Sequence, residues 1–324
     1  MKHASLKSTG FLVVAALVTA FTVSSRSGHR PHTQEVAAGV EALPVVTSPL
    51  LSPPPGMTGK AIVETMRLRE RLRRAELEEY SDLRVYEVRD LSGKVLAREA
   101  VTMHYLTPGR EFFTTQAASG SWLVRDLVFK RLIESEKITS DGREHHDSAI
   151  SPGNYHFTLV GVQDIGPYHC FVLRAKPRRN GEYLFVGTLW INKQDYGVVR
   201  IAGHPARRPS FWIEHADFVR QYHDVEGFWL PTEDVTFVKV RFFGQRVLVI
   251  AHRTDSINGR SLAGVRGQES LSDPRLLLSL PSSTGGEGRH FAHWRAWNVN
   301  PTELQNLYGA YFRAGQHRSS CTTY

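Results

Sequence analysis

The sequence predicts a mainly β protein with a few helices, built as one long antiparallel meander that curls and carries helices over its concave side. Three observations predict it. From Asp82 onward apolar residues recur with a period of two, the signature of half-buried strands. The runs are separated by short turns, Ser92-Gly93, Gly166-Pro167, Asn180-Gly181, Glu226-Gly227 and Gly244-Gln245. Registers taken from two of those turns set opposite charges across from each other: Glu87 against Arg98, Arg220 against Glu233 and Glu214 against Lys239. Such pairs contribute only ~0.2 to 1 kcal/mol each, so they check the register and do not make the fold.

Composition sets the outer bounds. Of 324 residues 41% are hydrophobic and 22% charged, which excludes global disorder and a polytopic membrane protein. The 40 Lys and Arg against 32 Asp and Glu give a net charge of +8, but the charges are interspersed and leave no nucleic-acid footprint. Cys170 and Cys321 are too few for a disulfide framework and lack metal-ligand spacing.

Along the chain, Lys2 and Lys7 precede an apolar run from Gly10 to Val23, followed by Ser24 and Ser25. This reads as a signal peptide over residues 1–25, because the run falls short of the ~20 residues a membrane span needs. Residues 26–57 carry six prolines and no apolar period, and read as an extended, disordered leader. From Gly59 to Glu79, Ile62, Met66 and Leu72 recur among Arg and Glu, which predicts a surface helix. A second helix is expected from Ser121 to Lys137, with Ser121 as its cap and Val124, Leu127, Val128 and Leu132 as its apolar stripe. The domain proper spans 58–257. Residues 258–324 form a basic tail, seven basic residues against four acidic, read as mostly disordered with an amphipathic helix over 301–314.

Carrying the turn registers across Tyr155 to His204 collects Phe157, Leu159, Cys170, Val172, Phe185, Leu189, Ile191, Val199 and Ile201 on one sheet face. The opposite face is apolar as well, so something covers each face or one of them holds an apolar ligand. If the two helices lie over the concave side, the space beneath is either a packed core or a lined cavity, and periodicity alone does not separate the two. Trp190, in the middle of its strand, is expected to be interior on either reading.

The stretches Asn154-Tyr-His-Phe, His169-Cys-Phe-Val-Leu-Arg-Ala-Lys-Pro-Arg-Arg, Tyr183-Leu-Phe-Val-Gly-Thr-Leu-Trp-Ile-Asn, Pro209-Ser-Phe-Trp-Ile and Gly227-Phe-Trp-Leu-Pro resemble outer-membrane lipoprotein-sorting proteins of the LolA-like superfamily, and more narrowly a bacterial branch of it. The resemblance covers about 57–255. It implies an unclosed half-barrel of antiparallel strands with a helical lid, no catalysis, no cofactor, and a concave face that accepts lipid or lipoprotein acyl chains in the periplasm. On that footing Phe157, Leu159, Val172, Leu189, Ile191, Val199 and Ile201 are the candidate cavity residues, and Val124, Leu127, Val128 and Leu132 the lid. The alternative on the same half-barrel is a sensor of envelope stress, or a protein-interaction module whose partner is a membrane or envelope protein.

Enzyme readings are weaker. His145-His146-Asp147 lies in a polar stretch between Asp141-Gly142 and Pro152-Gly153 and reads as a solvated loop. His215 and Asp217 are expected on one face with Asp234, where structural hydrogen bonding is the plainer reading than a metal site. Cys170 sits between apolar neighbours and reads as an inert thiol. No nucleophile-elbow, zincin, Walker or dinucleotide fingerprint is present.

Overall fold

The structure, a computed structural model, describes residues 48–262 apart from 92, 108, 131, 135–147, 182, 209–210, 212 and 243. The expected signal segment, the first part of the leader, the tail with its helix 301–314, and His145-His146-Asp147 lie outside the described residues. Helix α1 (Gly59–Glu76) leads into strands β1 (Glu79–Arg89), β2 (Val95–Leu106) and β3 (Arg110–Gly120), and then a short helix α2 (Trp122–Val124) that continues π-wound through Arg125–Phe129. Seven strands follow: β4 (Tyr155–Ile165), β5 (Tyr168–Pro177), β6 (Phe185–Asn192), β7 (Val198–Pro205), β8 (Ile213–Val225), β9 (Phe228–Val240) and β10 (Gly244–Ile257), with a two-residue β11 (Arg260–Ser261) on β10.

All strands form one sheet in the order β3-β2-β1-β10-β9-β8-β7-β6-β5-β4, and every pairing is antiparallel. The last long strand returns to dock on the first. Two meanders are thereby joined side by side, while β3 and β4 remain separate edges, so the sheet is unclosed as expected. Local chemistry agrees with each element. Thr58 caps α1 by accepting from the Ala61 N–H at 3.2 Å, and Arg73 and Arg74 in the last turn complement its negative end. The helix stops at Glu76 because Glu79 already pairs with Leu106 in the sheet. Ser121 caps α2, accepting from Val124 N–H at 3.4 Å.

The turn-derived registers hold near each turn and slip farther away. Glu87 lies opposite Arg98 and Val225 opposite Phe228, as read from Ser92-Gly93 and Glu226-Gly227. A bulge between Gln221 and Tyr222 then shifts β8 by one residue, so Arg220 faces Asp234, not Glu233. A one-residue slip exchanges sheet faces. Asp234 consequently moves to the face of Arg220, and Glu233 to the other. A second bulge, between Leu159 and Gly161, joined to a β5–β6 turn one residue longer than expected, moves Val172 and Cys170 off the face of Phe157 and Leu159. Here the expectation for Val172 is corrected.

The true register runs one row of directly facing residues across the sheet: Leu159, Leu173, Leu189, Ile201, Arg220, Asp234, Ile250 and Tyr86. On the opposite face the corresponding row is Gly161, Val172, Trp190, Arg200, Gln221, Glu233, Ala251 and Val85. Helix α1 lays Ile62, Val63 and Met66 into the large cluster that holds Tyr155, Leu173, Phe185 and Leu189. Helix α2 and its continuation lay Val124, Val128, Phe129 and Leu132 against Tyr86, Ala216, Val238 and Ile250 in a second cluster. Each helix therefore covers one half of the first row's face.

The end of the leader is part of the sheet. Leu51 forms an isolated bridge to Val162 on β4, exchanging two backbone hydrogen bonds of 2.9 and 3.0 Å, and the Ser48 hydroxyl accepts from Asp164 N–H at 2.7 Å. Gly161 makes this possible, since a Cβ there would overlap the Leu51 carbonyl oxygen. Gly197 plays the same part in the β6–β7 turn, where a Cβ would collide with the Trp229 indole.

Two outcomes follow from this packing. Trp190 is 2% exposed and donates to the Gln163 side chain at 2.8 Å. Trp190→Ala is expected to destabilise the fold by ~3 to 5 kcal/mol in chemical denaturation; a loss near zero would mean that the site is no core position. Glu233 is buried at 2% exposure, and burial raises its carboxyl to about 8, with Arg89 and Arg200 pulling down and Asp234 pushing up. The folded carboxyl then keeps a proton that the unfolded one, with an ordinary value of 4.5, releases. Stability from this group is full below pH ~4.5 and is lost as pH rises toward ~8, on the order of 5 kcal/mol in all. Glu233→Gln is expected to flatten the measured unfolding free energy between pH 5 and 8 relative to the unmodified chain.

Candidate functional site

The row Leu159 to Tyr86 changes character at its middle. Its first four residues are apolar and lie under α1, and its last two lie under the α2 segment. Between the two helices sits the ion pair Arg220–Asp234, with Nε to Oδ1 at 2.6 Å and both residues buried. One row away on the same face, Asp82 accepts from Arg84 Nε and from His252 Nδ1, each at 2.9 Å, and His252 Nε2 stands 3.9 Å from Asp234 Oδ2. Five charged or ionisable groups from β1, β8, β9 and β10 thus form one buried network across the centre of the sheet.

Their electrostatics are those of a closed circuit. Burial pushes the Asp82 carboxyl up, yet His252 and Arg84 together outweigh it and hold the group below its ordinary value. Burial pulls the Arg220 guanidinium down, and Asp234 more than reverses this. Burial raises the neighbouring Tyr222 phenol. Removing either partner of such a pair would strand a buried charge, at about 3 to 5 kcal/mol.

Above this network a cavity of about 100 Å³ opens between the sheet and the C-terminal half of α1. Glu70, Arg73 and Arg74 form its helical wall, Tyr222, Trp229 and Leu230 one flank, and Tyr80 and Tyr105 the other. Its charges are internally matched. Glu70 pairs with Arg74 at 2.7 Å and Arg73 at 3.7 Å, and Arg73 reaches on to the β6–β7 turn at Asp195, 3.3 Å away. Asp195 also accepts from the Trp229 indole N–H at 2.6 Å and the Asn192 amide at 2.7 Å, so this one carboxylate ties α1 to the β6–β7 turn and to β9. Ligand pockets usually begin near ~300 Å³. This cavity holds a few waters or a small polar group, not an alkyl chain.

The sequence-predicted residues are placed as follows. Phe157, Leu159, Leu189, Ile191 and Ile201 share the α1-covered face, and Val199 packs with them beside a bulge at Trp190/Ile191. They meet the side chains of α1, which fill the space above them. Val172 lies on the opposite face. Val124, Val128 and Leu132 are buried on the other helix, with Leu127 half-buried at its margin. His215 hydrogen-bonds Asp217, but the bulge at Gln221/Tyr222 carries Asp234 to the opposite face, which corrects the expected grouping of all three. No cluster of three metal ligands occurs among the described residues. Cys170 is buried, and burial raises its thiol to about 12, far from thiolate chemistry. The network of Asp82, Arg84 and His252 was missed in the sequence reading. Its one sequence signal is the pair of opposite charges at i and i+2 in β1, which must share a face, and the strand's second such pair, Glu87 and Arg89, gives the same signal.

No protein-family model matches the chain, and no curated protein matches it. Among solved structures the chain is similar to a DUF1329 family protein from Desulfovibrio piger, at 12% identity and a TM-score of 0.34, over 64% of this chain and 97% of that one. It is similar to a LolA superfamily protein from Nitrosomonas europaea, at 13% identity and a TM-score of 0.32, over 64% and 96%. It is also similar to the MucA/MucB complex structure from Pseudomonas aeruginosa, at 11% identity and a TM-score of 0.23, over 60% and 93%. The superfamily named for the second of these is the one that the sequence motifs resemble.

Proposed function

We propose that the protein is a non-catalytic binding protein of the bacterial periplasm that accepts the acyl chain of a lipid or lipoprotein on the concave sheet face, in the place that α1 fills. The observation that carries this reading is the way α1 is held. Its apolar contact with the sheet comes from three side chains, Ile62, Val63 and Met66, and its second half is fastened by the contacts of Arg73 with Asp195. Beneath it lies a continuous apolar strip, Leu159, Leu173, Leu189 and Ile201.

Magnitudes favour an exchange. Exposing three such side chains costs ~5 to 9 kcal/mol, at ~1.5 to 3 each, whereas a long acyl chain recovers ~0.8 kcal/mol for every methylene it buries, or ~12 kcal/mol for about 15 of them. The burial term alone therefore favours the chain by ~3 to 7 kcal/mol, from which the cost of association is still to be met. Among the described residues no helix is long and apolar enough to cross a membrane. Periplasmic residence rests on the N-terminal segment read from the sequence, and lipoprotein sorting or lipid trafficking is the role that the resemblance implies.

The test is titration of the purified protein with a long-chain fluorescent fatty acid, together with mass spectrometry of organic extracts from natively purified protein. Saturable binding at micromolar probe is expected, and its absence overturns the reading in favour of a scaffold for protein contacts. Arg73→Ala removes a partly exposed ion pair of ~0.5 to 1 kcal/mol that favours the closed helix. It is expected to tighten probe binding about two- to five-fold, because the binding-competent state gains population. An unchanged affinity would mean that α1 is not the element displaced.

A further inference from the structure

We infer that one end of the sheet is a docking surface for an anionic phospholipid bilayer. Because all pairings are antiparallel, the turns fall at two ends. One end gathers the turns at 90–94, 178–184, 206–212 and 241–243, and the start of α2. Among the described residues these turns carry Lys94, Arg178, Arg179, Arg207, Arg208 and Arg241 against Asp90. The turns at the other end carry Glu78, Asp195 and Glu226 against Lys193. The described turns are thus basic at one end of the strands and acidic at the other.

The basic end also holds the most exposed large apolar side chains of the described residues. Phe242 is 83% exposed, Trp122 69%, Leu91 64% and Phe211 64%. They emerge from strands that are neighbours in the order β3-β2-β1-β10-β9-β8, a span of ~24 Å at ~4.8 Å per strand. Aromatic rings set among arginines suit the interface of a bilayer, where rings lodge at head-group depth and cations meet anionic lipid. Arg241 lies over the Phe211 ring at 4.3 Å, which brings both chemistries to one point.

Phe242 supplies a second, independent observation. Its φ is +67°, in the left-handed region that Gly and Asn adopt cheaply and a bulky aromatic does not. The β9–β10 turn thus holds a large ring, 83% exposed, at the basic end in a backbone conformation that disfavours bulky side chains. The arginines suit nucleic acid equally, but exposed aromatics spread over a span of six strands do not form a stacking groove.

The test is co-sedimentation of the full mature chain with vesicles of phosphatidylethanolamine and phosphatidylglycerol, beside vesicles of phosphatidylcholine alone. Partition onto the anionic vesicles is expected, weakened by salt, with little onto the neutral ones. The double variant Arg207→Glu, Arg208→Glu is expected to lose at least about 25-fold, since each basic residue near the surface strengthens binding about five-fold. Phe242→Asn is expected to weaken partition several-fold while its melting temperature stays the same or rises, an outcome that a purely structural residue would not give. Binding that survives all three substitutions belongs to the basic tail and overturns the proposal. So does binding to a soluble polyanion such as heparin with none to vesicles. None of these readouts depends on fatty-acid uptake, so the two proposals stand or fall separately.

Discussion

The ion pair between Arg220 and Asp234 is the constraint on which the rest of the sheet depends. It sits at the midpoint of a row that is otherwise apolar, and it is buried. A one-residue slip of β8 on β9 would offer Arg220 the Glu233 carboxylate instead, but it would carry Asp234 to the other face, away from Arg220 and His252, and a carboxylate left without partners at that depth costs several kcal/mol. With that register fixed, Ile201 falls under α1 and Ile250 under the α2 segment, and the two helices find separate apolar platforms with a polar divide between them. The network of Asp82, Arg84 and His252 extends the divide to β1, which fastens the returning strand β10 to the start of the meander.

Much of the architecture was legible in the sequence because turn chemistry is local. Ser92-Gly93 and Glu226-Gly227 announce hairpins, and the pairs nearest them follow. What was not legible is where an extra residue enters a strand. The extra residue of the bulge opposite Gln221 and Tyr222 is Thr232, and Pro231 beside it was its one local mark; the charge test could not expose it, because Glu233 and Asp234 are adjacent acids and Arg220 meets a carboxylate in either register. Glu214 likewise still reaches Lys239, at 2.8 Å, although His215 is the residue directly opposite. Long side chains forgive a one-residue error that the sheet's two faces do not. For the candidate site the same mechanism applied twice: two slips between β4 and β6 cancelled for Leu189 and Ile201 but not for Val172.

The two helices differ in how they are secured. The α2 segment is held by apolar packing against Tyr86, Val238 and Ile250, whereas α1 combines a short apolar foot with a charged latch at Asp195. Apolar packing of the first kind resists water and salt alike. A latch of the second kind answers to ionic strength and to any group that competes for Arg73. The fold thus places its more responsive helix over the longer apolar strip, and its stiffer one over the strands next to the basic, aromatic end.

The bridge from Leu51 to Val162 limits how the sheet can grow. A strand edge is a template for the next chain, and a sheet with two open edges could add copies at both sides without limit. Here β4 is already met by the leader, while β3 pairs with β2 alone among the described residues. At Val162 and Asp164 the leader already occupies backbone groups that the strand of another chain would need, so growth of the sheet past that part of β4 has first to displace it.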